Sequence, residues 1–394
     1  MFHTFGYDGK NHNILIASKL WSDFGAHIPL IRSFSLGDNF DLLLKGRPQY
    51  PIYPGEPIRY HFLFYAFVGL LERFGVRLDW ALNIPSSLGF FFLLFFTFQI
   101  AKKLFADNRI AVLSVIFFLF NGSLSFLRFF ELHPLSKHTL SDIISASAFP
   151  AFAPWGPGDI TAFWNLNIYT NQRHLAAGFS IALFFIFTIL QISFARPSFA
   201  RPGLAKLKLR WAIVWGIIIG VLPYFHTPTL VILAVLYGTY FILFPKARGF
   251  LLLSGFIGSL LAIPQLITFP QGPTSISWYP GYLIHDHLNI QRFIIYWWQN
   301  LGLHAILIPI GFFLIPTRAK KILVPIFVLF LGANLFKFSI EVAGSHKFFN
   351  FVLILGNMIS AFVIISLIGR IRPFIGSIGS ICLLVVLVVF LTLS

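Results

Sequence analysis

Hydrophobic residues in this chain run in long, nearly uninterrupted stretches and do not alternate with polar residues as strands would. Apolar stretches of about 17 to 25 residues are typical of membrane-spanning helices, whereas barrel strands have a period of two. The pattern predicts about ten transmembrane helices. Their expected ranges are 84–101, 110–127, 174–195, 211–224, 227–245, 250–269, 294–315, 322–338, 348–369 and 373–393. The predicted fold class is therefore an all-α polytopic membrane protein.

The first 83 residues break this pattern. Residues 1–61 are polar and rich in His, Asp, Pro and Tyr, and an aromatic apolar stretch follows at 62–75. That stretch is too short to span a bilayer, so we predict a helix that lies along the membrane surface.

The charges give this arrangement an orientation. Short segments dense in Lys and Arg occupy alternate connections between the predicted spans, as the positive-inside rule requires. These segments are 102–109, 196–210, 246–248, 317–321 and 370–372, and they hold about half of the 29 basic residues. The opposite face then carries residues 1–83 and the loops 128–173, 270–293 and 339–347. Every acidic residue except Asp107 lies on that face, so we expect the chemistry to be extracytoplasmic.

Composition narrows the class further. A formal net charge of +16 would suggest nucleic-acid binding in a soluble protein, but only 11% of the residues are charged and the mean hydropathy is +0.81. The single cysteine, Cys382, lies in an apolar run and excludes a disulfide framework or a cysteine-type zinc site. We predict one integral membrane domain over 1–394, with 1–83 as an extracytoplasmic catalytic loop and 84–394 as transmembrane helices.

The stretch from Trp21 to Arg32 holds the leading candidates for chemistry. Asp23 and His27 are four residues apart and share a face if the stretch is helical, with Arg32 near that face. A carboxylate, an imidazole and a guanidinium would supply a base, an orienting group and a phosphate contact. The alternative interpretation is an ordinary polar segment on the membrane, with Asp23 as a helix cap.

Further candidates lie at the predicted membrane surface. Arg59 and His61 precede the predicted surface helix, and Arg173 and His174 precede a predicted span. Lys347 begins a late span and suits the neutralisation of a phosphate charge. Each of these residues suits contact with a lipid-linked phosphate, and each also suits simple anchoring in the interface.

Metal ligands are weakly indicated. His285, Asp286 and His287 have the composition of a metal-ligand group, but alternate residues share a face only on a strand. His226 lies in a tight turn between two predicted spans, and we interpret it as a turn residue. The metal ligands therefore stay unknown at this stage.

The order of features in the first 130 residues resembles a known family. Asp23, Gly37, the Pro51, Pro54 and Pro57 series and the aromatic stretch 62–75 follow one another before the first span. This series resembles the polyprenyl-phosphate-dependent membrane glycosyltransferases of the GT-C superfamily, nearest to the protein-mannosyltransferase-like and lipopolysaccharide-sugar-transferase-like branch. The resemblance implies that Asp23 is the catalytic base or a carboxylate beside a divalent metal such as Mg²⁺ or Mn²⁺.

Two departures from that family pattern matter. A transmembrane helix precedes the carboxylate in the family, so we expect a preceding span outside this sequence. Asp23 is followed by Phe24 where many protein mannosyltransferases have a second acid, which weakens a specific assignment to protein O-mannosylation.

The expected function is transfer of a sugar from a polyprenyl-phosphate donor to a hydroxyl of a lipid, glycan or protein acceptor. The expected place is the plasma membrane, with the active face extracytoplasmic and no nucleic acid as partner. The alternatives are a multi-pass transporter or flippase and an inactive truncated relative. Few ionisable residues lie in the middle of the predicted spans, which favours the enzyme over the transporter.

Overall fold

A computed structural model gives the fold. The structure describes residues 1–18, 21–120, 122–145, 159–164, 166–194, 203–268, 276–284 and 287–392. Helices dominate these ranges, and two two-stranded antiparallel sheets are also present.

Two long helices, α4 and α9, occur among shorter elements in the first half of the chain. In chain order they are β1 (Phe5–Asp8), β2 (Asn13–Ile16), α1 (Trp21–Ser35), α2 (Asn39–Leu44), α3 (Leu63–Arg73), α4 (Leu78–Phe105), α5 (Asn108–Leu119), α6 (Ser125–Leu132), α7 (Thr139–Ser145), α8 (Asn167–Asn171) and α9 (Leu175–Phe194). A helix is present within the predicted stretch 62–75, as α3, and its location along a membrane surface stays a prediction. The predicted catalytic loop 1–83 is folded, because it holds a hairpin and three complete helices.

The second half mixes long and broken helices. Its elements are α10 (Gly203–Phe225), α11 (Thr227–Leu243), α12 (Arg248–Thr268), β3 (Ser277–Trp278), α13 (Ile290–Leu301), α14 (His304–Leu314), α15 (Thr317–Leu323), α16 (Pro325–Leu335), β4 (Phe336–Lys337) and α17 (His346–Thr392). Short 3₁₀ turns occur at Ala162–Trp164, Pro245–Ala247 and Val342–Ser345.

The prediction of about ten transmembrane helices is wrong. Over the described ranges, five helices are long and apolar enough to cross a membrane, or six if one bent pair counts as a span. The five are Leu78–Phe105, Leu175–Phe194, Lys208–Phe225, Pro245–Ile267 and Val342–Thr392. An integral membrane protein with several candidate spans is therefore what the fold supports.

Helix breaks explain the difference. α5 has 12 residues and would cover about 18 Å, well short of the ~30 Å hydrocarbon core. α11 has 17 residues. The predicted span 294–315 is divided between α13 and α14, which meet at 92°. The predicted span 322–338 is divided between α15 and α16, and the last two predicted spans are parts of α17, whose backbone is non-helical at Gly376.

The chain forms two compact units. Unit 1 contains Met1–Phe96 and Asn167–Pro273, and unit 2 contains Thr97–Leu166 and Thr274–Ser394. The division falls within α4. A single membrane domain over 1–394 stays a prediction.

Unit 1 has a core formed largely by α1 against α3. Phe24, Ile31 and Phe34 recur on one face of α1 with helical spacing, and each is almost fully buried. They pack in the same apolar cluster as Tyr65 and Val68 of α3. The apolar spacing thus favours a helix that buries one face in this core. Another face of α1 lies outside the core.

The N-terminal hairpin joins this core. β1 pairs with β2 from Phe5 opposite Ile16 to Asp8 opposite Asn13. The Asp8 carboxylate accepts hydrogen bonds from the Lys10 backbone N–H at 2.9 Å and from the Asn11 amide at 2.6 Å, which closes the turn. Phe5 is buried and its ring lies 5.2 Å from that of Phe24.

Unit 2 is organised around α17. α5 packs on this helix through Phe117, Ile364 and their neighbours, and α14 and α16 also contact it. His304 of α14 is buried and its Nδ1 lies 2.9 Å from Ser360 Oγ of α17.

Candidate functional site in unit 1

A cavity of about 690 Å³ opens beside α1 in unit 1. Its walls are formed by one face of α1 and by the segment that leads into α3. The lining residues are Asp23, Ala26, His27, Leu30, Tyr50, Tyr53, Glu56, Pro57, Arg59 and Tyr60. Two carboxylates, one guanidinium, one imidazole and three phenols thus surround a space of the size that small ligands occupy.

Helix α1 delivers Asp23 and His27 to this cavity together. The four-residue spacing places both on one face, as predicted from the sequence. Phe24 and Ile31 hold the neighbouring face of α1 against the core. The carboxylate is therefore positioned by an element that is itself fixed by apolar packing.

Three buried histidines lie next to the cavity wall. His61, His174 and His226 come from three separate parts of unit 1, and one ring nitrogen of each lies within 4.8 Å of the others. The Nε2 atoms of His61 and His174 are 2.9 Å apart. The His226 ring centroid is 5.1 Å from that of His61 and 5.1 Å from that of His174. Over the residues that the structure describes, no other group of three metal-ligating side chains converges.

Hydroxyl groups contact the Nδ1 atom of two of these rings. Tyr65 Oη lies 2.8 Å from His174 Nδ1, and Thr229 Oγ1 lies 2.7 Å from His226 Nδ1. The contact to Nδ1 of His174 is compatible with its Nε2 facing His61 Nε2, which lies 2.9 Å away. Such outer hydrogen bonds are typical of histidines that bind metal.

Tyr60 connects the histidine cluster to the cavity. Its ring stacks on that of His61 at a centroid distance of 3.9 Å, and its hydroxyl lies 3.4 Å from His174 Nε2. Tyr60 also lines the cavity. Burial, and to a smaller extent the charge of Asp23, raises the pKa of Tyr60 above its ordinary value, so its proton stays on oxygen.

His27 links the same two features from the α1 side. Its ring stacks on Tyr65 at 4.5 Å and lies 6.3 Å from that of His174. Burial, with a smaller contribution from the charge of Arg173, lowers the pKa of His27 to about 3, so the imidazole is neutral at neutral pH. Among the described residues, nothing hydrogen-bonds its Nδ1.

Arg173 lies inside the unit and does not line the cavity. Its guanidinium donates to Asn83 Oδ1 at 2.9 Å and to Thr4 Oγ1 at 2.9 Å. The Asn83 amide in turn donates to the Phe5 carbonyl at 2.8 Å. Burial lowers the pKa of Arg173 to about 10. This arginine ties the N-terminal segment to α4, and the predicted phosphate contact would require a different position.

The remaining predicted site residues are dispersed. Arg59 lines the cavity and forms an exposed ion pair with Glu56 at 2.9 Å. Arg32 is directed to Glu72 of α3, with its Nε 3.4 Å from Oε1. Lys347 belongs to unit 2, and His285 and Asp286 lie outside the described residues.

Sequence reasoning missed one member of the histidine cluster. His226 precedes α11, as expected of a turn residue, but its neighbours come from residues 52 and 165 positions earlier in the chain and were invisible in the local pattern. The sequence did contain one signal for this cluster, because both histidines lie at the ends of predicted spans. His174 directly precedes α9 and His226 directly follows α10. Consecutive antiparallel spans bring such ends to one side.

The fold and this site define a helical protein with several candidate membrane spans and one polar cavity beside a histidine cluster. Comparisons with models of protein families, with curated proteins and with solved structures find no match to this chain.

Proposed function

We propose that unit 1 holds the active site of a membrane glycosyltransferase that transfers a sugar from a polyprenyl-phosphate donor to an acceptor hydroxyl. The observation that carries this proposal is the presence of Asp23 and Arg59 on the walls of one cavity of about 690 Å³. The similarity of the ordered series from Asp23 to the α3 helix to the GT-C superfamily agrees with it.

Asp23 is the base in the proposed reaction. Its carboxylate accepts the proton of the acceptor hydroxyl while the hydroxyl oxygen forms a bond to the anomeric carbon. The bond from that carbon to the phosphate oxygen breaks, and the oxygen keeps the electron pair. One base and one stabilised leaving group complete the transfer without a covalent enzyme intermediate.

Arg59 is the group that meets the leaving phosphate. Guanidinium binds phosphate oxygens through two parallel N–H donors and stays charged at any physiological pH. Its present partner, Glu56, is exposed, so a phosphate can replace that contact at little cost.

The position of the histidine cluster next to this cavity supports a lipid-linked donor. The histidine cluster behind Tyr60 marks the ends of two candidate spans, since His174 directly precedes α9 and His226 directly follows α10. In this arrangement the phosphate of the donor would lie at the polar end of a span. The polyprenyl chain would lie along the apolar surface of that span.

Mg²⁺ or Mn²⁺ at Asp23 fits the cavity poorly. These ions prefer clusters of oxygen ligands, but Glu56, the second carboxylate of the cavity, is paired with Arg59. The group that does converge consists of three imidazoles. No step of the proposed transfer is assigned to a metal.

The test uses the full chain reconstituted in liposomes with a panel of radiolabelled undecaprenyl-phosphate hexoses and pentoses. Wild-type protein is expected to release undecaprenyl phosphate and move the label to an acceptor, and Asp23→Asn is expected to lower the rate at least about 10²-fold. Asp41→Asn removes an exposed acid outside the cavity and serves as the matched control.

Two results would overturn the proposal. One is wild-type turnover in Asp23→Asn, and the other is the absence of label transfer from every donor in the panel. Movement of intact donor across the bilayer without bond cleavage would indicate a transporter instead.

A further inference from the structure

We propose that His61, His174 and His226 bind one transition-metal ion of the Zn²⁺ class through their Nε2 atoms. This inference concerns a nitrogen-ligand site behind the cavity wall and stands independently of the proposed sugar transfer.

The distances suit such an ion. Zinc–nitrogen bonds of about 2.0 to 2.1 Å in a tetrahedral site place neighbouring ligand nitrogens about 3.3 Å apart. His61 Nε2 and His174 Nε2 are 2.9 Å apart, and all three ligand nitrogens lie within 4.8 Å of one another.

The surroundings of two of the three rings are compatible with the form that binds metal. A ligating Nε2 must present its lone pair, so the proton must reside on Nδ1. In that tautomer His174 Nδ1–H donates to Tyr65 Oη, 2.8 Å away, and His226 Nδ1–H donates to Thr229 Oγ1, 2.7 Å away. Hydroxyl groups in these positions hold the orientation of both rings and are compatible with the tautomer that metal binding needs.

A hydrogen bond between His61 and His174 alone gives a simpler interpretation of that pair. It offers no reason for a third imidazole in ring contact with both, brought there from the start of α11. Side-chain exposure of the three histidines is 7%, 0% and 0%. Three imidazoles that converge in a buried environment are typical of a metal site.

The ligand type decides the ion. Imidazole nitrogen suits Zn²⁺, Co²⁺, Ni²⁺ and Cu²⁺, whereas Mg²⁺ and Ca²⁺ require oxygen. Tyr60 lies between this cluster and the cavity, because its hydroxyl lies 3.4 Å from His174 Nε2 and the residue lines the cavity. The bound ion would therefore stabilise the part of unit 1 that separates the histidine cluster from the cavity.

The experiment measures metal content and affinity in the full chain, purified in detergent with a tag that contains no histidine. Elemental analysis after dialysis against a weak chelator is expected to find about one zinc per chain and no stoichiometric magnesium. After removal of zinc, titration with Co²⁺ is expected to produce the visible absorption of a tetrahedral nitrogen site.

Variants assign the ion to this cluster. His226→Gln is expected to lose stoichiometric zinc. His304→Gln, which removes a buried histidine of unit 2, is expected to keep it. Tyr65→Phe and Thr229→Val each delete one oxygen with little change in volume, and each is expected to weaken zinc binding about 10- to 100-fold. These two variants test the site even if the histidine variant does not fold.

The inference is overturned if the wild-type chain binds neither zinc nor cobalt at micromolar concentration, or if folded His226→Gln retains one ion. Unchanged zinc affinity in both Tyr65→Phe and Thr229→Val would also overturn it. None of these measurements depends on sugar transfer, so failure of one proposal is distinguishable from failure of the other.

Discussion

Gly178 of α9 leaves the space that His226 occupies. A methyl group at Gly178 would lie 2.5 Å from His226 Nδ1 and 2.7 Å from Thr229 Oγ1. Both atoms belong to the hydrogen bond that orients the ring, so the absence of a side chain at Gly178 is a condition for the histidine cluster.

Gly178→Ala should therefore displace the His226 ring and weaken zinc binding by about tenfold or more, in the range of a lost orienting contact. Titration of the zinc-free protein with a competing chelator measures the change. Gly238→Ala in α11 is the control, because a methyl group there meets nothing within 4 Å. Equal zinc affinity in both variants would contradict the proposed role of His226.

Gly69 sets how closely α1 approaches α3. A methyl group there would lie 2.7 Å from the Ile31 carbonyl oxygen and 2.8 Å from Phe34 Cβ. Gly69→Ala is expected to destabilise the protein by about 1–3 kcal/mol through overpacking. Gly25→Ala in α1 meets open space and should instead stabilise the helix by up to ~1 kcal/mol.

Thermal unfolding in detergent measures both glycine variants. The opposite signs make the comparison decisive, since both changes add one methyl group to a helix. A Gly69→Ala protein as stable as Gly25→Ala would mean that the α1–α3 contact is looser than the structure has it.

Asn83 and Arg173 form a buried polar pair whose two members should respond differently to removal. Asn83→Leu leaves the guanidinium buried with fewer acceptors and is expected to cost about 1.5–3 kcal/mol. Arg173→Met removes the charge together with its desolvation penalty and should cost less. The same stability assay ranks the two variants.

Arg32→Met is the matched control for this pair, because it breaks only a partly exposed contact with Glu72 and should cost about 0.2–1 kcal/mol. A loss in Arg32→Met as large as that in Asn83→Leu would refute the distinction between buried and exposed partners.

Arg59 should govern donor binding in the proposed transfer. Arg59→Met removes a charge-assisted contact worth about 1.5–3 kcal/mol, so the KM for the undecaprenyl-phosphate donor is expected to rise roughly 10- to 100-fold. Arg47→Met, an exposed arginine that does not line the cavity, should leave KM unchanged. A loss of kcat alone in Arg59→Met would argue against a role in binding the ground-state phosphate.

Local pattern was a good guide where one element carries the information. The helices at 62–75, 84–101 and 174–195 follow from apolar composition and length, and each is present with boundaries shifted by a few residues. The common face of Asp23 and His27 follows from a spacing of four on a helix. These features depend on residues close in sequence.

The local pattern gave wrong span predictions where an apolar stretch continues through a bend of the helix axis. The stretch 294–315 is predominantly apolar, yet the backbone turns by 92° after Gly302, whose φ is 51°. Hydropathy describes how readily residue types leave water. It carries no information about the direction of the helix axis. The overcount of spans has this cause.

The sequence by itself determined that this is a helical protein with several candidate membrane spans, and it placed a carboxylate and an imidazole on one face of α1. Only the tertiary structure decided which polar residues meet. It directed Arg32 to Glu72, buried Arg173 against Asn83, and brought His61, His174 and His226 together across 165 residues of chain. The physical reason is that periodicity is a property of one helix, whereas a cluster of side chains depends on how several helices pack.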